Sequence, residues 1–272
     1  MASLFTTERR AEVLDNLKTF FQADEQIAGL VLVGSGAKKA QDSYSGLDLL
    51  VVVKNGAVFR STYRKWRERL LTLFTVAYHY EQESDVDKAV WSLMLDDFLE
   101  VNLYFSRLLN LKAVSKPWCI LFDQTISEDI EKILQATYSA ERIAAPTRYY
   151  KQMMSTIWQP IIKCVAALNR KDIWRAMHML DQVRQQTIEL AALNYNVDAV
   201  NYAAVDQLPE MLLVKLRHTL PMGISQVAIR RALRTTMVLF FQQAELLEER
   251  VDVNLAADLK GRILPYIEAY AS

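Results

Sequence analysis

The sequence predicts an α+β protein: a mixed β-sheet with flanking helices, followed by an all-helical bundle. Three observations predict it. Short apolar runs rich in β-branched residues, each closed by a turn signal, crowd the first part of the chain. After Ile126 those runs stop and apolar residues recur at helical spacing. The chain has 272 residues, enough for two medium domains, and the change of texture divides it at 1–125 and 126–272.

Residues 8–23 carry Val13, Leu14, Leu17, Phe20 and Phe21 at helical spacing. Ile27 to Val33 reads as a strand ending in Gly34-Ser35-Gly36, and Leu47 to Val53 as a second ending in Lys54-Asn55-Gly56. A charged amphipathic helix is predicted over 59–75. Strands follow over 76–80, 89–95 and 98–105, with Asp96-Asp97 as a hairpin turn, and a short one over 118–122. His79 reads as half-buried. Ser127-Glu128-Asp129 opens a helix with Ser127 as cap, and Pro146 punctuates the chain. Helices are then predicted over 147–168, 172–194, 206–217, 223–249 and 253–270. Asp172 and Asp206 serve as caps, and Pro221-Met222-Gly223 as a break.

Lys plus Arg and Asp plus Glu both number 32, so the formal net charge is zero. Such a chain lacks the broad positive field of a non-specific nucleic-acid binder. No stretch reaches the roughly 18 uncharged apolar residues of a membrane span. The N-terminus shows no secretory pattern, and a cytoplasmic location is expected. Cys119 and Cys164 lie far apart in apolar surroundings and read as buried free thiols. No His or Cys pair has metal-ligand spacing.

The chemistry is concentrated in residues 29–54, GLVLVGSGAKKAQDSYSGLDLLVVVK. Asp48 interrupts an apolar strand, where a carboxylate is costly unless a cation or donor meets it. It can cap a turn, pair with Lys38 or Lys39, or serve chemistry. The order strand, Gly-Ser, polar spacer, Ser-x-x-Asp, apolar strand resembles the nucleotidyltransferase superfamily, and within it the bacterial antibiotic adenylyltransferases with a helical C-terminal domain. The family pattern is Gly-Ser followed by Asp-x-Asp, with a third carboxylate on a neighbouring strand. Residues i and i+2 of a strand share a face about 7 Å apart, which lets paired acids hold divalent cations. The resemblance thus implies Mg²⁺, a nucleoside triphosphate with ATP first among them, and a small-molecule hydroxyl acceptor such as an aminoglycoside.

The sequence departs from that pattern at two acids. Gly46 takes the place of the first Asp, and Asn102 that of the third, leaving Asp48. Glu100, two residues before Asn102, shares its face in a regular strand and can supply a carboxylate. The expected cation ligands are therefore Asp48, Glu100 and Asn102, with Asp42 within reach from the loop. Gly34, Ser35, Lys38 and Lys39 are the expected nucleotide contacts, the two lysines reading equally as a solvated loop. The resemblance also implies a general base from the helical part: Asp181, or else Glu189, unless Asp181 simply pairs with Arg184 or Gln185 along its helix. Glu81, Glu83, Asp85 and Asp87 form an acidic stretch suited to a polycationic acceptor, or a solvated loop. The lost acids support an alternative, a catalytically degenerate relative that binds a nucleotide or a protein.

Overall fold

The computed structural model describes residues 5–37, 45–113, 117–126, 129–197, 202 and 204–270. The chain divides into two compact units, 1–141 and 142–272.

The first unit is built on a mixed six-stranded sheet. Its strands are β1 (Ile27–Val33), β2 (Leu47–Val53), β3 (Val76–Asp85), β4 (Lys88–Leu95), β5 (Glu100–Arg107) and β6 (Cys119–Asp123). Their order across the sheet is β3-β4-β5-β2-β1-β6. β2 runs antiparallel to β1 and parallel to β5, and Asp48 stands directly beside Asn102. Two helices, α1 (Thr7–Gln22) and α2 (Phe59–Leu73), cover one face. There Val13, Leu17, Phe21, Tyr63, Trp66 and Leu70 pack on Leu30, Leu32, Leu49 and Val51. On the other face Val31, Leu50 and Val52 meet Ile130 and Leu134 of α3 (Ile130–Thr156). Alternation along β2 thus sends Leu47, Leu49, Val51 and Val53 to the first face and Asp48, Leu50 and Val52 to the second. With both faces covered, the β2 pattern is an almost unbroken apolar run, interrupted by Asp48.

The second unit is helical. Its core joins the end of α3 to α4 (Trp158–Asn169), α5 (Ile173–Tyr195), α7 (Gln226–Glu248) and α8 (Ala256–Tyr270). A smaller cluster seats α6 (Glu210–His218) on α5 and α7. Asp172 caps α5 by accepting from the Arg175 N–H, as its position predicts. Glu248 joins three elements: its carboxylate accepts from the Tyr150 hydroxyl and from the backbone N–H groups of Leu255 and Ala256 that open α8.

Several local expectations need correction. Pro146 does not break the chain; α3 runs through it, forgoing one backbone donor. The break falls at Ile157, because Pro160 can neither donate to the Thr156 carbonyl nor fit beside it in a continuous helix. Asp129 receives a capping N–H from Lys132; the expected cap, Ser127, lies outside the described residues. Asp206 sits in a short 3-10 turn and caps nothing, since α6 starts after Pro209. His79 is exposed, on the edge strand β3, with its ring edge-on to Trp91. Cys164 is buried as expected, its thiol pushed up to about 12 by burial, whereas Cys119 is exposed on the edge strand β6.

Candidate functional site

The site begins where β1 runs out. Gly34 turns the chain with φ of 68° into a short 3-10 helix, Gly34–Ala37. Val33 pairs with Asp48 across the sheet, so the turn lies beside that carboxylate. A Cβ on Gly34 would come within 2.7 Å of Asp48 Oδ2, and its backbone conformation disfavours any side chain. Both constraints call for glycine at the position where the family pattern has it.

Asp48 is half-buried, on the face of β2 that also carries Leu50 and Val52. Asn102 Nδ2 lies 3.1 Å from Asp48 Oδ1 and 3.1 Å from Glu100 Oε1. Both partners are carboxylates, which fixes the amide with its NH₂ toward them. Asn102 therefore holds the two acids on one face through its donors; offering its oxygen to a cation requires the amide to turn over. Tyr104 lies two residues further along β5, and its hydroxyl favours the charged form of Asp48. Burial pushes the Asp48 carboxyl above the usual aspartate range, and the Glu100 charge adds to it. Asn102, Arg10 and Tyr104 pull the other way without cancelling the rise. Tyr104 is likewise raised, by burial first and then by Asp48 and Glu100. A carboxyl shifted by burial and a neighbouring charge marks a candidate functional group.

The missing first acid has a steric explanation. A Cβ on Gly46 would lie 2.8 Å from the Glu100 carbonyl oxygen and 3.3 Å from its Cβ. Aspartate at 46 does not fit this backbone. Among the described residues, no group of three His, Cys, Asp or Glu side chains is set to hold a metal ion. Asp48 and Glu100, both hydrogen-bonded to the Asn102 amide, are the carboxylates a single cation would take as ligands here; Mg²⁺ commonly takes only one or two carboxylates and completes its shell with water and substrate phosphates.

The structure brings Gly34, Asp48, Glu100 and Asn102 together. Ser35 follows in the same turn. Lys38, Lys39 and Asp42 lie outside the described residues. Asp181 belongs to the second unit, where Arg184 Nη1 holds it at 3.1 Å and the Tyr202 hydroxyl at 3.3 Å. Glu189 accepts from Gln185 at 3.0 Å. In the acidic stretch, Glu81 accepts from Tyr63 and Arg67, and Asp87 from Arg107 and Asn110. Those two acids are engaged within the first unit, and Glu81 stands on a strand rather than in a loop.

Two participants escape the sequence reading. Arg10 is 2% exposed, its Nε donates to the Gly46 carbonyl at 3.3 Å, and its charge lowers the proton affinity of Asp48. Its Nη2 lies 2.7 Å from where a Gly36 Cβ would stand, so the guanidinium packs against the Gly34–Ala37 turn. The signal was there: Arg10 begins the buried stripe Arg10, Val13, Leu17, Phe21 of α1. Tyr104 was readable from its alternation with Glu100 and Asn102.

A family model described as streptomycin adenylyltransferase matches residues 7–270. Among solved structures, the chain is similar to an aminoglycoside 6-adenyltransferase from Bacillus subtilis, with 13% identity, 98% of this chain and 99% of that one covered, and a TM-score of 0.45. It is also similar to a nucleotidyltransferase-like protein from Exiguobacterium sibiricum, with 11% identity, 88% and 77% covered, and a TM-score of 0.46. No protein of curated function matches in sequence. The match over nearly the whole chain makes this nucleotidyltransferase-like protein a member of the streptomycin adenylyltransferase family.

Proposed function

We propose that the chain transfers a nucleoside monophosphate from a nucleoside triphosphate, ATP first among them, to a hydroxyl of a small cytoplasmic molecule such as an aminoglycoside. One Mg²⁺ is held by Asp48 and Glu100. The observation that carries this reading is the pair of carboxylates joined through Asn102 Nδ2, at 3.1 Å each, beside the Gly34 turn. A cation there supplies Lewis-acid stabilisation of phosphoryl oxygens. The chain's own groups do the positioning. The Gly34-Ser35 turn presents backbone N–H groups to phosphate, with Lys38 and Lys39 as the charged contacts beyond it. Asn102 fixes the two acids, Tyr104 favours the charged form of Asp48, and Arg10 holds the start of β2 through the Gly46 carbonyl. Asp181 is the proposed base on the acceptor hydroxyl, a role that requires it to exchange Arg184 for the substrate.

A second reading, nucleotide binding without transfer, is favoured by the Gly46 packing that leaves no room for another acid. Incubation of the protein with labelled ATP, Mg²⁺ and a panel of aminoglycosides separates the two. Acceptor-dependent pyrophosphate release that is lost in Asp48→Ala supports transfer. ATP binding without pyrophosphate release supports the second reading.

A further inference from the structure

A groove of the helical unit lies between the end of α6 and the start of α7, with a volume of about 470 Å³. Its polar wall holds Arg217, His218 and Arg231, and no acid lines it. Among the described residues, none of the three forms an ion pair. Arg217 and His218 close α6, where positive charge complements the carbonyl end of a helix. Arg231 lies in the second turn of α7 and is exposed to solvent. The other wall is apolar and open to solvent: Leu220 is 49%, Met222 88% and Val227 77% exposed.

We propose that this groove binds a phosphate monoester carrying a small apolar or aromatic body. Two planar guanidinium forks and an imidazole match a doubly charged phosphate group, and Leu220, Met222 and Val227 cover the body. The volume falls within the roughly 300–1,000 Å³ of small-molecule sites. The site lies wholly in the second unit and does not depend on the Asp48 reading.

The test is titration of the full chain by calorimetry with phenyl phosphate, inorganic phosphate and phenol, alongside sedimentation with phosphatidic acid vesicles. Phenyl phosphate binds more tightly than inorganic phosphate, phenol does not bind, and added salt weakens the interaction. Arg217→Gln and Arg231→Gln each weaken it about tenfold, as expected for loss of a charge-assisted hydrogen bond. Met222→Ser weakens phenyl phosphate but leaves inorganic phosphate unchanged. Asp48→Ala leaves all of these values unchanged. Binding to vesicles but not to phenyl phosphate, if lost in the double arginine variant, assigns the phosphate to a lipid headgroup. The proposal is overturned if neither probe binds at millimolar concentration, if the double arginine variant binds like the parent, or if Asp48→Ala abolishes the binding.

Discussion

Asp24 and Asp48 lie in the same unit, and the fold treats them in opposite ways. Asp24 is 5% exposed and fully answered: its carboxylate accepts from the Gln26 backbone N–H at 3.0 Å, Lys65 at 2.9 Å and the Trp66 indole at 2.7 Å. Burial pushes its pKa up, but the Gln26 N–H, then Lys65 and Trp66, more than offset this, and the carboxyl ends below the usual range. Asp48 is less buried yet worse served, with Asn102 as its hydrogen-bond donor, Arg10 and Tyr104 giving lesser help and Glu100 repelling it, and its pKa ends raised. A structural carboxylate comes with its donors. On the proposed function, Asp48 is a carboxylate kept for a ligand and left short of donors, at a cost in stability.

That contrast can be broken by mutation. The largest effect belongs to Asp24→Ala, which strands the buried Trp66 indole N–H and should cost about 3 kcal/mol, read as a lower midpoint in urea. Lys65 is half-exposed, so its share of that loss is small. Asn102→Asp comes next. It replaces the donor between two acids with a third charge, and should cost about 1–2 kcal/mol in metal-free buffer. Millimolar Mg²⁺ should restore most of that loss, because a cation that binds only the folded state stabilises it. Thermal melts with and without Mg²⁺ test this, and a metal-independent loss contradicts it. The smallest effect is a gain. Asp48→Asn removes the unfavourable ionised form and should raise the melting temperature near neutral pH by about 2 °C.

The pH dependence of the two sites has opposite sign. With its folded pKa lowered, Asp24 contributes stability that is present above the ordinary aspartate range and lost as pH falls through the folded value. With its folded pKa raised, Asp48 is best tolerated below the unfolded value, and its contribution is lost as pH rises through the folded one. The advantage of Asp48→Asn over the parent should therefore be present at neutral pH and vanish toward pH ~4. Melting curves across that range check the sign.

The sheet was legible where sequence pattern and burial coincide. β1 and β2 fall where their β-branched runs place them, because both faces of those strands are covered. β3 extends to Asp85, beyond its apolar part, since hydrogen bonding to β4 rather than burial sustains an edge strand. The helix boundaries near Pro146, Ile157 and Asp206 were misread because a proline's effect depends on which carbonyl it faces, which composition does not encode. At the site, Asp48 was readable as an acid interrupting an apolar strand, Asn102 from the resemblance, and Glu100 from its alternation with Asn102. The steric bar at Gly46 was not, since it depends on the register between β2 and β5. Arg10 required knowing that the first turn of α1 lies against the Gly34–Ala37 turn.

The central claim is that Asp48 and Glu100 hold the cation of a nucleotide. Calorimetric titration with ATP, with and without Mg²⁺, on the parent chain and on Asp48→Ala tests it most directly. The account predicts Mg²⁺-dependent binding in the parent and its loss in the variant. ATP binding of equal strength with and without Mg²⁺, or unchanged by removal of Asp48, would contradict it.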